Sequence, residues 1–147
     1  MHENTIEIIL VEDNPADVEM TLSALKERNL ANEVHVLKDG AEALAYIMNN
    51  VDCRPGQENE RRPKVILLDL KLPKVDGLEV LKRIRADERT KSVPVVILTS
   101  SNEERDRIAS YQLGVNSYVV KPVGFDDFAR VVTEIGCYWV LMNKPPY

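Results

Sequence analysis

The sequence predicts an α/β protein: a doubly wound, five-stranded parallel sheet with helices on both faces. Three observations carry that prediction. Short apolar runs rich in β-branched residues recur along the chain, stretches with helical spacing lie between them, and cap-like residues mark where several of those helices begin. Nearly continuous apolar runs, as against alternating ones, suit strands covered on both faces. Regular alternation of strand and helix is the pattern of a parallel sheet.

In chain order, Ile6 to Val11 reads as the first strand. Asn14-Pro15 then starts a helix, with Asn as N-cap and proline at the first helical position. That helix puts Val18, Leu22 and Leu25 on one face. Glu33 to Leu37 is a weaker second strand. Asp39-Gly40-Ala41-Glu42 has the form of a capping box with Asp in the cap and opens the second helix. Asp52 to Arg62, rich in Asn, Glu, Arg, Gly and Pro, reads as a solvated surface loop. Val65 to Leu68 is the third strand. Asp76-Gly77-Leu78-Glu79 is a second capping box, and Leu78, Leu81 and Ile84 follow at helical spacing. Val93 to Leu98 is the fourth strand, Ser101-Asn102-Glu103-Glu104 a third capping box, and Tyr118 to Val120 the fifth strand. The last helix runs from about Phe125 to about Leu141.

The chain has 147 residues, which predicts a single domain over 1–147, with its core at about 5–136 and the end of the last helix and a tail at 137–147. It is 44% hydrophobic and 29% charged, an ordinary globular composition. A net charge of −5 argues against a nucleic-acid groove as the main surface. Cys53 and Cys137 are too few for a disulfide framework and sit in no metal-binding spacing, so they read as reduced thiols. No run approaches the length of a membrane span, and the N-terminus lacks a basic n-region, which predicts a cytoplasmic protein. His2 and His35 stand alone, and His35 reads as a structural histidine within a strand. There is no GxGxxG after the first strand, no P-loop and no nucleophile elbow.

In an open α/β sheet, ligands bind beyond the carboxyl ends of the strands. After the first strand come Glu12 and Asp13, at the end of the third Asp69, at the end of the fourth Thr99 and Ser100, and at the end of the fifth Lys121 and Pro122. Three clustered carboxylates cannot all stay ionised without a cation. Oxygen ligands suit a hard divalent ion such as Mg²⁺. A carboxylate can also be a nucleophile that forms an aspartyl phosphate, with Mg²⁺ and a fixed lysine neutralising the transferring group. The set reads as a phosphoryl-acceptor site working by in-line transfer.

These segments carry a resemblance. Leu10-Val11-Glu12-Asp13-Asn14, the stretch Ile66 to Gly77, Val95-Val96-Ile97-Leu98-Thr99-Ser100 and Tyr118-Val119-Val120-Lys121-Pro122 are similar to the receiver domain of bacterial response regulators, a flavodoxin-like fold, over about Thr5 to Gly136. The resemblance implies that Asp69 is the phosphoacceptor. Glu12, Asp13, Asp69 and the backbone carbonyl of Lys71 would hold Mg²⁺. Thr99 would hydrogen-bond the phosphoryl group and Lys121 would pair with it. Tyr118 would be the aromatic switch, turning inward with Thr99. The peptide before Pro122 would be cis, and Gly77 would allow the turn after the acceptor loop. Such a protein catalyses its own phosphorylation and dephosphorylation and turns over nothing else.

The loop at Asp52 to Arg62, the segment Ile108-Ala109-Ser110-Tyr111 and the tail Tyr138 to Pro146 resemble the small response regulators paired with bacterial and cyanobacterial phytochromes. The implied partner is a histidine kinase, a bacterial phytochrome among the candidates. With few residues after the last helix, no DNA-binding output module is expected, so the signal leaves through a protein surface. Trp139 lies among Tyr138, Val140, Leu141 and Met142. Aromatic residues are enriched at interface hot spots, so a homodimer through the fifth strand, the last helix and the tail is expected. The competing reading folds these residues back on the domain's own core.

A non-phosphorylated adaptor on the same scaffold is the alternative function, but an adaptor would not need the intact acidic and lysine set. A Mg²⁺-dependent phosphohydrolase is weaker, because Lys71 stands where such enzymes place a second acid. Neither Lys71 nor Ser101 is an obvious water-orienting base, which predicts slow self-hydrolysis of the phosphorylated form.

Overall fold

In the computed structural model, which describes residues 6–30, 33–56 and 62–147, the strands are β1 (Ile8–Val11), β2 (Val34–Leu37), β3 (Val65–Leu68), β4 (Val95–Thr99) and β5 (Ser117–Val120). Between and after them lie α1 (Pro15–Glu27), α2 (Gly40–Asn50), α3 (Gly77–Ala86), α4 (Glu104–Gln112) and α5 (Phe125–Gly136). All pairings are parallel, in the order β2-β1-β3-β4-β5. The doubly wound five-stranded sheet is therefore as expected. Its strand order reverses between β1 and β3, which makes the carboxyl end of that pair the switch point where ligands bind.

The apolar runs explain the layering. Side chains alternate across a strand, so Ile9, Val11, Ile66, Leu68, Val95 and Ile97 face one way, toward α2 and α3. Ile8, Leu10, Val65, Leu67, Val96 and Leu98 face the other, toward α1 and α5. The inner strands β1, β3 and β4 are buried throughout, while β2 and β5, at the edges, are mostly half-buried. That difference explains why the β2 run was the weaker signal.

The caps explain the helix starts. Asn14 Oδ1 accepts from the backbone N–H groups of Ala16 and Asp17, at 2.9 and 3.2 Å, with Pro15 at the first helical position. Asp39 accepts from Glu42 N–H at 2.7 Å and Asp76 from Glu79 N–H at 3.0 Å. The third expected box fails. The N-cap of α4 is Glu103, which makes no side-chain cap bond. Ser101 is buried and turned inward, its hydroxyl donating to Asp106 at 2.6 Å.

The last helix also differs from expectation. It is α-helical only to Gly136, and Cys137–Met142 continues as a π-helical segment, with Asn143 N–H donating to the Tyr138 carbonyl. At Gly136 the helix crosses α1 closely, and a Cβ there would lie 2.7 Å from Leu25 Cδ2. Beyond it, Val140 is buried and Trp139 is packed on the α1/α5 side of the core, whereas Tyr138, Leu141 and Met142 face outward. The tail then reaches the opposite side. Tyr147 packs against the other core cluster, and its hydroxyl donates to the Pro63 carbonyl.

The remaining sequence expectations fall as follows. Cys53 and Cys137 are free thiols, and burial pushes the Cys53 thiol up to about 11. His35 stacks on Tyr46, ring centroids 4.1 Å apart, as a structural histidine does. His2 lies outside the described residues, as does much of the Asp52 to Arg62 loop, of which Asp52 pairs with Arg54 at 2.6 Å. Among the described residues, no helix is long and apolar enough to cross a membrane.

Candidate functional site

Register brings the site together. Val11 of β1 stands beside Leu68 of β3, and Thr99 of β4 beside Val120 of β5. The next residue of each strand therefore emerges at one sheet edge. Asp69 N–H donates to the Val11 carbonyl at 3.1 Å, and Lys121 N–H to the Thr99 carbonyl at 2.7 Å, which extends the ladder into the site. Glu12, Asp13 and Asp69 each present a carboxylate oxygen, all within 4.8 Å of one another. Glu12 and Asp69 are buried, and Asp13 is exposed. Thr99 is fully buried.

Lys121 is the counter-charge. Its Nζ lies 2.6 Å from Glu12 Oε1, 2.9 Å from Asp69 Oδ2 and 2.8 Å from Asp17 Oδ2, with only 9% of the side chain exposed. Burial by itself would push the ammonium pKa down, but the hydrogen bonds to Asp17, Glu12 and Asp69 outweigh it, and the net shift is upward. Burial pushes the Glu12 carboxyl up to about 7. The hydrogen bond from Lys121 opposes that shift, and the charge of Asp69 adds to it. A crowded set of acids held by one lysine is short of positive charge, and its all-oxygen donors match a hard divalent cation.

Asp17 is the member that sequence reasoning missed. It lies in the first turn of α1, and only the seating of that helix on the sheet brings it onto Lys121. A cleft of about 330 Å³ opens beside this ion pair, lined by Asp17, Met20, Ser100, Pro122 and Phe128 among others.

The acceptor loop is held from two sides. Lys71 N–H donates to Asp69 Oδ1 at 3.3 Å, while Lys71 itself is exposed. Gly77 packs against the backbone of Asp69 and Leu70, where a Cβ would overlap the Asp69 carbonyl. Gly40, at the start of α2, presses as closely on Val75 and donates its N–H to the Pro73 carbonyl at 3.2 Å. Lys74 takes a positive φ of 70° at that turn, and its ammonium lies 3.5 Å from Asp39. The sequence marked Gly77 but not Gly40, whose close neighbour lies far along the chain.

On the other flank, Thr99 Oγ1 accepts from Ser101 N–H at 3.3 Å, and Tyr118 Oη donates to the Ser101 carbonyl at 2.9 Å. Burial raises the Tyr118 phenol, so it stays a donor at neutral pH. One family expectation is corrected: among the described residues there is no cis peptide, and Lys121–Pro122 is trans. The trans bond is the usual preference of X–Pro, and Lys121 reaches all three acids with it.

Comparison with known proteins agrees with this geometry. The family model "Response regulator receiver domain" matches residues 8–133. The chain is 40% identical over 145 residues to "Probable methanogenesis regulatory protein FilR2" of Methanothrix harundinacea, covering 98% of this chain and 90% of the relative. It is 41% identical over 133 residues to response regulator Rcp1 of Synechocystis, covering 90% and 88%. The crystal structure of the Mn(2+)-bound form of Rcp1 superposes with a TM-score of 0.84 at 39% identity, over 97% of this chain and 99% of that one. That of the phosphorylated cyanobacterial phytochrome response regulator RcpA gives 0.85 at 38% identity, with the same coverage. With the sheet order, the acidic edge and the lysine all in place, the chain belongs to the family of response regulator receiver domains.

Proposed function

We propose that this protein is the phosphoacceptor of a two-component relay and that Asp69 carries the phosphoryl group. The observation that carries the reading is the Lys121 ammonium, 2.9 Å from Asp69 and 2.6 Å from Glu12. A fixed cation against the acceptor supports the reading, because it would neutralise the charge that develops on a transferring phosphoryl group. In the transfer, a carboxylate oxygen of Asp69 attacks phosphorus in line. The N–P bond of a kinase phosphohistidine breaks, and the imidazole nitrogen keeps the electron pair.

Glu12, Asp13, Asp69 and the Lys71 carbonyl are the residues that would hold Mg²⁺. The ion supplies charge neutralisation and a fixed orientation for the phosphoryl oxygens when bound. Thr99 would then donate its hydroxyl to a phosphoryl oxygen, and Tyr118 would follow Thr99. The kinship with RcpA and Rcp1 supports a histidine kinase partner of the phytochrome kind. The outward Tyr138, Leu141 and Met142, which continue from the end of α5, support a homodimer through β5, α5 and the tail.

The test is intact mass after incubation with acetyl phosphate, with and without Mg²⁺, on wild type and Asp69→Asn. One phosphoryl group gained, dependent on Mg²⁺ and lost in the variant, is expected. No gain under any condition overturns the reading and leaves the adaptor in its place.

A further inference from the structure

The least firmly seated helix of the fold is α4. Of its nine residues only Ser110 is buried, its N-cap Glu103 makes no side-chain cap bond, and Ile108 and Tyr111 face outward. Helices in proteins owe most of their stability to packing of an apolar face, and α4 has almost none. Its first turn is held by something else.

That hold is Ser101. The residue is 4% exposed, and each of its polar groups is committed to a different element. Its N–H donates to Thr99 Oγ1 at 3.3 Å, at the end of β4. Its carbonyl accepts from Tyr118 Oη, on β5, at 2.9 Å. Its hydroxyl donates to Asp106 Oδ2, in the first turn of α4, at 2.6 Å, and accepts from Glu103 N–H at 3.3 Å. A short bond from a hydroxyl to a carboxylate is among the stronger kinds of hydrogen bond. One buried side chain thus ties the threonine beside the acceptor to the helix with the least packing of its own.

We propose that Ser101 is the positioning residue that transmits the state of Asp69 to α4, with its hydroxyl on Asp106 as the latch. The inference rests on the phosphoacceptor reading above. When the Thr99 hydroxyl turns toward a phosphoryl group on Asp69, the acceptor of Ser101 N–H moves. Ser101 follows, and the bond to Asp106 carries that movement into α4, while the Tyr118 hydroxyl follows the Ser101 carbonyl. The helix is free to respond because so little else holds it.

The experiment is amide hydrogen exchange of Glu104–Gln112, read before and after phosphorylation with acetyl phosphate and Mg²⁺. It is run on wild type, Ser101→Ala, Asp106→Ala and Asp106→Asn, with intact mass recording occupancy. Asn keeps an acceptor for the Ser101 hydroxyl, so Asp106→Asn is expected to match wild type. Without phosphate, Ser101→Ala and Asp106→Ala are expected to exchange about tenfold faster in α4, the loss of one hydrogen bond. On phosphorylation, α4 exchange is expected to change at least about threefold in wild type and Asp106→Asn, and less than about twofold in the two Ala variants. All four are expected to take the phosphoryl group. If Ser101→Ala gains the phosphoryl mass and α4 responds as in wild type, the latch is overturned. If Asp106→Asn behaves as Asp106→Ala, it is overturned as well. If wild type gains no mass, the phosphoacceptor reading falls instead.

Discussion

At the scale of single residues, Glu12 and Lys71 set the chemistry's sensitivity. The Glu12 carboxyl sits at about 7, raised from 4.5, because it is buried. The folded state therefore binds a proton that the unfolded chain has already released between those values. In the metal-free protein this residue costs stability increasingly as pH rises from about 4.5 to about 7, and the cost is absent below that window. Thermal unfolding without metal is expected to show Glu12→Gln melting higher than wild type near pH 8, by on the order of 5 °C, with the gap closing near pH 5. Equal melting across that range would show that Lys121 fully compensates the buried charge. Lys71 is exposed beside the acceptor, and the Ser101 hydroxyl is committed to Asp106. An ammonium is no base and the Ser101 hydroxyl is already engaged, so a phosphorylated form lasting minutes or longer is expected. Lys71→Asn should shorten that life several-fold in a decay assay. Decay within seconds that Lys71→Asn leaves unchanged would sink the idea.

Among the elements, the helix starts show how local and long-range forces divide. The Asp76 cap of α3 is a local bond, and Asp76→Ala is expected to cost about 1 kcal/mol. Its neighbour Gly77 answers to a tertiary constraint, since a Cβ would meet the Asp69 carbonyl and lie 2.6 Å from Leu70 Cα. Gly77→Ala should cost about 3 kcal/mol and also slow phosphoryl uptake, because the loop that yields carries Asp69. Urea unfolding of both variants checks the order, and a smaller loss for Gly77→Ala would show that the loop relaxes freely. The same division explains the errors at the other helices. Three capping boxes looked alike in sequence, but only Asp39 and Asp76 cap as expected, each accepting from the N–H three residues on. The Ser101 hydroxyl instead donates to Asp106 and accepts from Glu103 N–H, and the cap falls two residues later, at Glu103.

For the whole molecule, the tail is divided between the two expectations set for it. Val140 and Trp139 pack on the core, as the fold-back reading required, and Tyr147 crosses to the opposite side. Tyr138, Leu141 and Met142 remain outward, with 68% of Leu141 and of Met142 exposed. That leaves a smaller apolar surface for self-association than the sequence suggested. Sedimentation velocity is expected to show a dimer that Leu141→Glu converts to monomer. A wild type that sediments as a monomer, with and without phosphorylation, would remove the dimer.

What the sequence by itself determined was everything written in local periodicity. Continuous β-branched runs bounded by polar residues named β1, β3 and β4, since strands covered on both faces have no polar side to show, and a shorter run named the half-buried edge strand β5. Asn14-Pro15, Asp39 and Asp76 named three helix starts, because a cap bond spans only a few residues. The site residues at strand ends followed from the topology those runs imply. Tertiary structure alone decided which distant groups meet. It placed Asp17 on Lys121, Gly40 against Val75, the Tyr118 hydroxyl on the Ser101 carbonyl, and the tail across the core. Each of those contacts depends on how helices seat on the sheet, and the energy that selects it is shared between residues far apart in the chain.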